Sequence, residues 1–128
     1  LAQGEHRLAE LFHYPLILRE PGSGTRAILE NQLFQFGSSP QAFAGLLECG
    51  SFRMIKELLK QTSAISFMYE QVAAQEVEAG ELTYLTLTDC QIRRPLYFVY
   101  PRHSMAQSAC QSFYHDCLCP GTVQGPAR

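Results

Sequence analysis

The feature that most constrains this chain is the run Pro15-Leu16-Ile17-Leu18-Arg19, followed at once by Glu20-Pro21-Gly22-Ser23-Gly24-Thr25-Arg26. A short, nearly continuous apolar run is how a strand buried on both faces reads. Pro21 and Gly22 break the strand. From Thr25 the apolar positions Leu29, Leu33 and Phe36 recur at helical spacing, and Gly37 ends the pattern. Buried strand, glycine-rich turn and helix, in that order, predict one strand-to-helix unit of an α/β sheet.

The alternation continues. Ala42 to Leu47 is a second strand candidate after the polar connection at Pro40. Ser51 is placed to cap a helix whose buried face carries Ile55, Leu58 and Leu59. Ala64 to Met68 predicts a third strand, and Gln71 to Ala79 a short helix stopped by Gly80. Leu82 to Leu87 and Pro95 to Tyr100 read as further strands, with a turn around Asp89. Ser104 and Gln107 form a capping box before a last helix, whose apolar stripe is Ala106, Ala109, Cys110, Phe113 and Cys117. Pro120 and Gly121 end it, and the tail to Arg128 is small and polar. The expected fold is α/β, a mostly parallel sheet flanked by helices.

The 128 residues suffice for one compact core and not for two full domains. Hydrophobic residues are 46% and charged residues 17%, which excludes a disordered chain. The net charge of −2 supplies no basic face for nucleic acid. No apolar run has the length of a membrane span, and the polar start, Leu1 to Glu10, is not a signal peptide. The missing initiator Met leads us to expect a piece of a longer product. Cys49, Cys90, Cys110, Cys117 and Cys119 are odd in number, with no Cys-x-x-Cys pair. That argues against a disulfide framework and for a reducing cytoplasm.

The turn after the first strand carries the most chemistry. Ligands of open α/β sheets bind beyond the carboxyl ends of the strands, where helix N-termini favour anions. Gly22 and Gly24 would let a ligand approach the backbone, Ser23 and Thr25 offer hydroxyls, and Arg26 offers a positive charge. The competing use is a plain turn in which Ser23 or Thr25 only caps the helix, and on local grounds the two uses stand side by side. Ser51 poses the same choice, weighted towards the cap. Glu20, beside Arg19 and Arg26, is expected to be an ion-pair partner. His115 and Cys119 lack further ligands for zinc, so no metal site and no cofactor are expected. No acid, base or nucleophile stands near the turn in an arrangement that suggests an enzyme.

These segments carry a family resemblance. Pro15 to Arg26 resembles the stretch that opens the second subdomain of LysR-type effector-binding domains. Ser51-x-x-x-Ile55-Lys56 is similar to the family's Ser-x-x-x-Ile-x-x-x-Val stretch, with Leu59 for Val. Ile65 to Met68, Val77 to Leu82, Arg94 to Tyr100 and Ser108 to Phe113 follow in the family's order, from about Leu8 to about Leu118. The resemblance implies a type 2 periplasmic-binding-protein-like fold of two subdomains with an effector in the cleft between them. It implies ligand-binding roles for Ser23, Gly24, Thr25, Arg26 and Ser51, with Phe67 and Met68 as walls. Residues 1–14 would then connect from the first subdomain, 15–87 form the second, 88–119 return to the first, and 120–128 trail. It implies homo-oligomers that reach DNA through a winged helix-turn-helix lying outside this chain. A solute-binding protein of a transporter is the alternative on the same fold. Thr62-Ser63-Ala64-Ile65 stands where the family often has Gly-x-Gly-Ile, which would narrow the pocket. The Glu20–Arg26 form, with Arg94-Pro95, is similar to members that respond to small sulfur or nitrogen anions.

Overall fold

A computed structural model describes residues 4–92, 99–101 and 105–118. Two compact units divide the chain, Leu1–Ile92 and Arg93–Arg128. The first unit holds strands β1 (Glu5–His6), β2 (Pro15–Leu18), β3 (Gly45–Glu48), β4 (Ile65–Ser66) and β5 (Thr86–Leu87). Its helices are α1 (Leu8–Leu11), α2 (Gly24–Gln35), α3 (Phe52–Gln61) and α4 (Glu70–Glu78). The second unit contains α5 (Gln107–Leu118). There Ala109, Phe113 and Cys117 of the expected stripe are exposed and Cys110 is half-buried. The expected strand at Pro95 falls largely outside the described residues, as do Ser104 of the capping box, Cys119 and the tail.

The main sheet has the order β3-β2-β4, all parallel. Its centre is β2, where Leu16, Ile17 and Leu18 are each no more than 2% exposed. A strand paired on both edges and covered on both faces has to be apolar throughout, which accounts for the run. Leu16 and Leu18 join Leu8, Leu11, Leu29, Leu33 and Phe43 in one core cluster. The segment before β2 is therefore built into the core through α1. It also forms β1, which pairs in parallel with β5. Asp89 Oδ1 accepts from the Leu8 amide at 2.9 Å, capping α1 from across the chain.

Several boundaries differ from the expected ones for identifiable reasons. The second strand starts at Gly45, because Pro40 opens a short 3₁₀ turn to Ala42. The strand expected from Leu82 shrinks to Thr86–Leu87, because the Glu76 carbonyl accepts from Glu81 (2.8 Å) and Leu82 (3.2 Å) in the C-terminal cap of α4. Gly80, at φ 74°, makes the reversal that this cap requires. On α2 the buried stripe is Thr25, Leu29 and Leu33, not one ending at Phe36. Phe36 is the C-cap residue and has left the helical register, so it is 45% exposed. Helix α4 is tied to α3 through Lys56, which pairs with Glu76 at 2.6 Å and donates to the Val72 carbonyl at 3.0 Å.

Neighbouring residues on α2 offer a direct test of which face is buried. Leu33 is fully buried and Phe34 is 81% exposed. Leu33→Ala is expected to destabilise the fold by about 2–5 kcal/mol in urea unfolding. Phe34→Ala should change stability by less than about 0.5 kcal/mol. Equal effects would overturn the assigned stripe.

Candidate functional site

Because β2, β3 and β4 run parallel, their carboxyl ends share one edge of the sheet. Three connections leave from it: Arg19 to Ser23, Cys49 to Ser51, and Phe67 to Tyr69. The edge is stitched together by polar bonds. The Cys49 amide donates to the Leu18 carbonyl at 2.8 Å, and the Ser66 hydroxyl donates to the Ile17 carbonyl at 2.7 Å. Gly22, at φ 91°, turns the first connection towards α2, a conformation that an L side chain resists.

The two candidate serines behave differently. Ser51 caps α3, its hydroxyl accepting from the Met54 amide at 3.5 Å. Ser23 holds the N-cap position of α2, yet its hydroxyl makes no cap bond. It lies instead 3.0 Å from the hydroxyl of Thr25, which is buried. No acidic residue occupies the first turn of α2. Among the described residues no side chain accepts from its first amides, which lie beside two hydroxyls. A Cβ added at Gly24 would meet nothing within 4 Å, so open space adjoins this N-terminus.

Arg26 has a different position from the free positive charge that its place in the turn suggested. Its guanidinium pairs with Glu30 at 2.7 Å, pairs with Glu48, and donates to the Arg19 carbonyl at 3.2 Å. It thus locks the first turn of α2 to the ends of β2 and β3. Glu30 is one helical turn away and could have been foreseen. Glu48 belongs to another strand, so local pattern gave no sign of it. Glu20 is an ion-pair partner as expected, held by Arg19 through bonds of 2.7 and 2.8 Å. The Arg19 guanidinium also lies 4.3 Å from the centre of the Phe52 ring.

Phe67 and Met68 line a cavity of about 870 Å³ in the first unit. Its walls include Leu29, Leu33, Phe43, Ala73, Tyr84 and Leu85. Ser23 to Arg26 and Ser51 are not among the lining residues; Ser51 borders a separate hollow of about 330 Å³ with Arg53, Met54 and Glu57. Sequence reasoning missed Ala73 and Tyr84 as wall residues. Their helical and strand-like spacing signals only an apolar face, and a face that packs on core looks the same as one that borders a void.

Parallel strands joined through helices make this unit an α/β fold, and its cavity has a size that small molecules occupy. Comparison with known families narrows this. Residues 1–118 match the LysR substrate binding domain, and the chain belongs to that family. It is 30% identical over 117 residues to the HTH-type transcriptional regulator YeiE of Escherichia coli K12, covering 91% of this chain and 39% of YeiE. It is 33% identical over 106 residues to the regulator CbbR of Rhizobium meliloti, covering 82% of this chain and 33% of CbbR. A further match, at 26% over 99 residues, is the phosphonates import ATP-binding protein PhnC of Anaeromyxobacter dehalogenans, with 77% of this chain and 20% of that protein covered. The chain thus spans less than half the length of each. The family match favours the regulator over the transporter reading. Among the described residues no helix is long and apolar enough to cross a membrane.

The charge arrangement at the sheet edge is testable by titration. The hydrogen bonds from Arg19 hold the Glu20 carboxyl down at about 2, against an ordinary 4.5. A depressed carboxylate contributes stability above its ordinary pKa and loses it as pH falls from 4.5 towards 2. Carboxyl-carbon NMR should therefore give Glu20 a midpoint near 2, and Arg19→Gln should return it towards 4.5. An unchanged midpoint in the variant would show that Arg19 is not the cause.

Proposed function

We propose that this chain is the effector-sensing domain of a LysR-type transcriptional regulator, and that its effector carries an anionic group held at the N-terminus of α2 by Ser23, Gly24 and Thr25. One observation carries the reading: the Ser23 hydroxyl sits at the N-cap and does not cap. Amides at a helix start are unpaired donors at the positive end of the helix dipole, which suits an anion. Ser51, by contrast, serves α3 as its cap and shapes the edge from the side. Arg26 positions the first turn of α2 and adds positive potential, partly offset by Glu30 and Glu48. Phe67 and Met68 form a wall. Hydroxyls and amides make a binding set, not a catalytic one.

In this reading residues 15–87 are the second effector subdomain, reached through 1–14, and 88–119 return to the first. The β1–β5 pair brings the two flanks of the second subdomain side by side. A ligand that prefers one arrangement of the subdomains shifts their populations. The change reaches DNA through a winged helix-turn-helix in the rest of a cytoplasmic homo-oligomer. The relatives named as transcriptional regulators support this assignment.

Sulfate and nitrate, titrated calorimetrically into the chain and into the full gene product containing it, test the site. Saturable binding of at least one is expected. Gly24→Ala adds a methyl group into open space and should leave the unfolding midpoint unchanged. It should weaken the anion about tenfold or more, by blocking approach to the amides. Binding that is absent, or indifferent to this methyl, would overturn the proposed site.

A further inference from the structure

We infer that the cavity of the first unit is a slot for a β-strand at the open edge of β4, and that an apolar segment of the same polypeptide, upstream of residue 1 in the full gene product, fills it. The inference is independent of the anion reading at α2 and goes beyond it.

The open edge comes first. Strand β4 ends the order β3-β2-β4, and among the described residues it pairs only with β2. The free side of such a strand presents N–H and C=O groups that accept a further strand. Successive side chains of a strand point to opposite faces, so a void lying on one face is lined by alternate residues. Residues 62–69 instead line the cavity without a gap, so it adjoins the edge of β4. It is bordered also by residues 80–85, which lead into β5, and by Leu87. The helices add single faces, Leu29 and Leu33 from α2 and Ala73 and Val77 from α4.

Size and chemistry fit a strand. Each strand residue takes about 4.8 Å of sheet width, about 3.3 Å of length and about 10 Å of thickness. A cavity of about 870 Å³ therefore takes about five residues, an ordinary strand length. Ile65, Phe67, Leu85 and Leu87 pack against the core cluster yet are only partly buried, unlike Leu16 and Leu18 of β2. An apolar strand would complete their burial. Among the described residues no Lys, Arg or His lines the cavity, and its acidic residues, Glu70 and Glu81, are exposed, so nothing inside it suits a charged segment. The source follows from the length of the relatives: the chain covers 39% of YeiE, and most of a regulator of that length lies outside it. Polypeptide ahead of β1 enters the first unit directly, whereas anything after Arg128 is set apart in sequence by residues 93–128.

Hydrogen exchange on the chain and on the full gene product tests the slot, and both are read without substitutions. In the chain, those amides of residues 64–68 that face away from β2 should exchange freely. In the full product they should exchange about a hundredfold more slowly, with β2 protected in both. Equal exchange in the two proteins, fast or slow, would overturn the slot. Phe67→benzoylphenylalanine in the full product, irradiated and mapped by mass spectrometry, identifies the occupant, because Phe67 lines the cavity. The crosslink is expected within one polypeptide, to sequence upstream of residue 1. A main crosslink to the cavity's own lining, to residues 93–128, to later sequence or to a second copy would overturn the upstream strand as the occupant.

Discussion

The structure of the first unit depends on β2 being paired along both edges while both of its faces are buried. Leu16 pairs with Leu46 on one side and Ile65 on the other, and Ile17 with Leu47 and Ser66. A two-residue strand such as β4 has little stability of its own. It persists because β2 gives it a template and because the Ser66 hydroxyl closes onto the Ile17 carbonyl. Parallel pairing then decides where function can lie. Three strands pointing one way bring their following turns to a single edge. Helix α2 starts there with its dipole directed at the same region.

The charges at that edge are largely used up by one another. Arg19 takes Glu20, and Arg26 takes Glu30 and Glu48. These pairs are partly exposed and add little stability individually. Their consequence is geometric: Arg26 fixes the start of α2 to the ends of two strands. In the proposed function, recognition then falls to prealigned amides and hydroxyls, groups that need no reorganisation as an anion arrives. The positive charges serve as braces for them.

Much of this was legible in the sequence, and the illegible part has a pattern. The β2 run, the start of α2, its stop at Gly37, the Ser51 cap and the Gly80 stop all follow from local rules that residues within a few positions enforce. Phe36 was misplaced because the apolar period ran past the point where backbone capping had already ended the helix. Leu82 was misplaced because its amide is claimed by Glu76. The pairing of Glu5 with Thr86, the Asp89 cap on Leu8 and the Arg26–Glu48 clamp join residues far apart in the chain. No spacing rule reaches such partners. The ambiguity at Ser23 was of the same kind, since only three-dimensional geometry shows which hydroxyl accepts which amide.

The contrast between Ser23 and Ser51 shows why a turn of the same residue type can be structural in one place and open in another. Ser51 opens a helix from β3, an edge strand, and its α3 carries Met54, Arg53 and Glu57 outward. Ser23 opens α2 from the central strand, where Thr25 on the buried stripe lies close enough to take the Ser23 hydroxyl. Diverting that hydroxyl costs the helix a cap, a loss of about 1 kcal/mol. The two helix starts thus differ in what the serine hydroxyl meets, the Met54 amide at α3 and the Thr25 hydroxyl at α2, and that difference follows from which residue of the first turn faces the core.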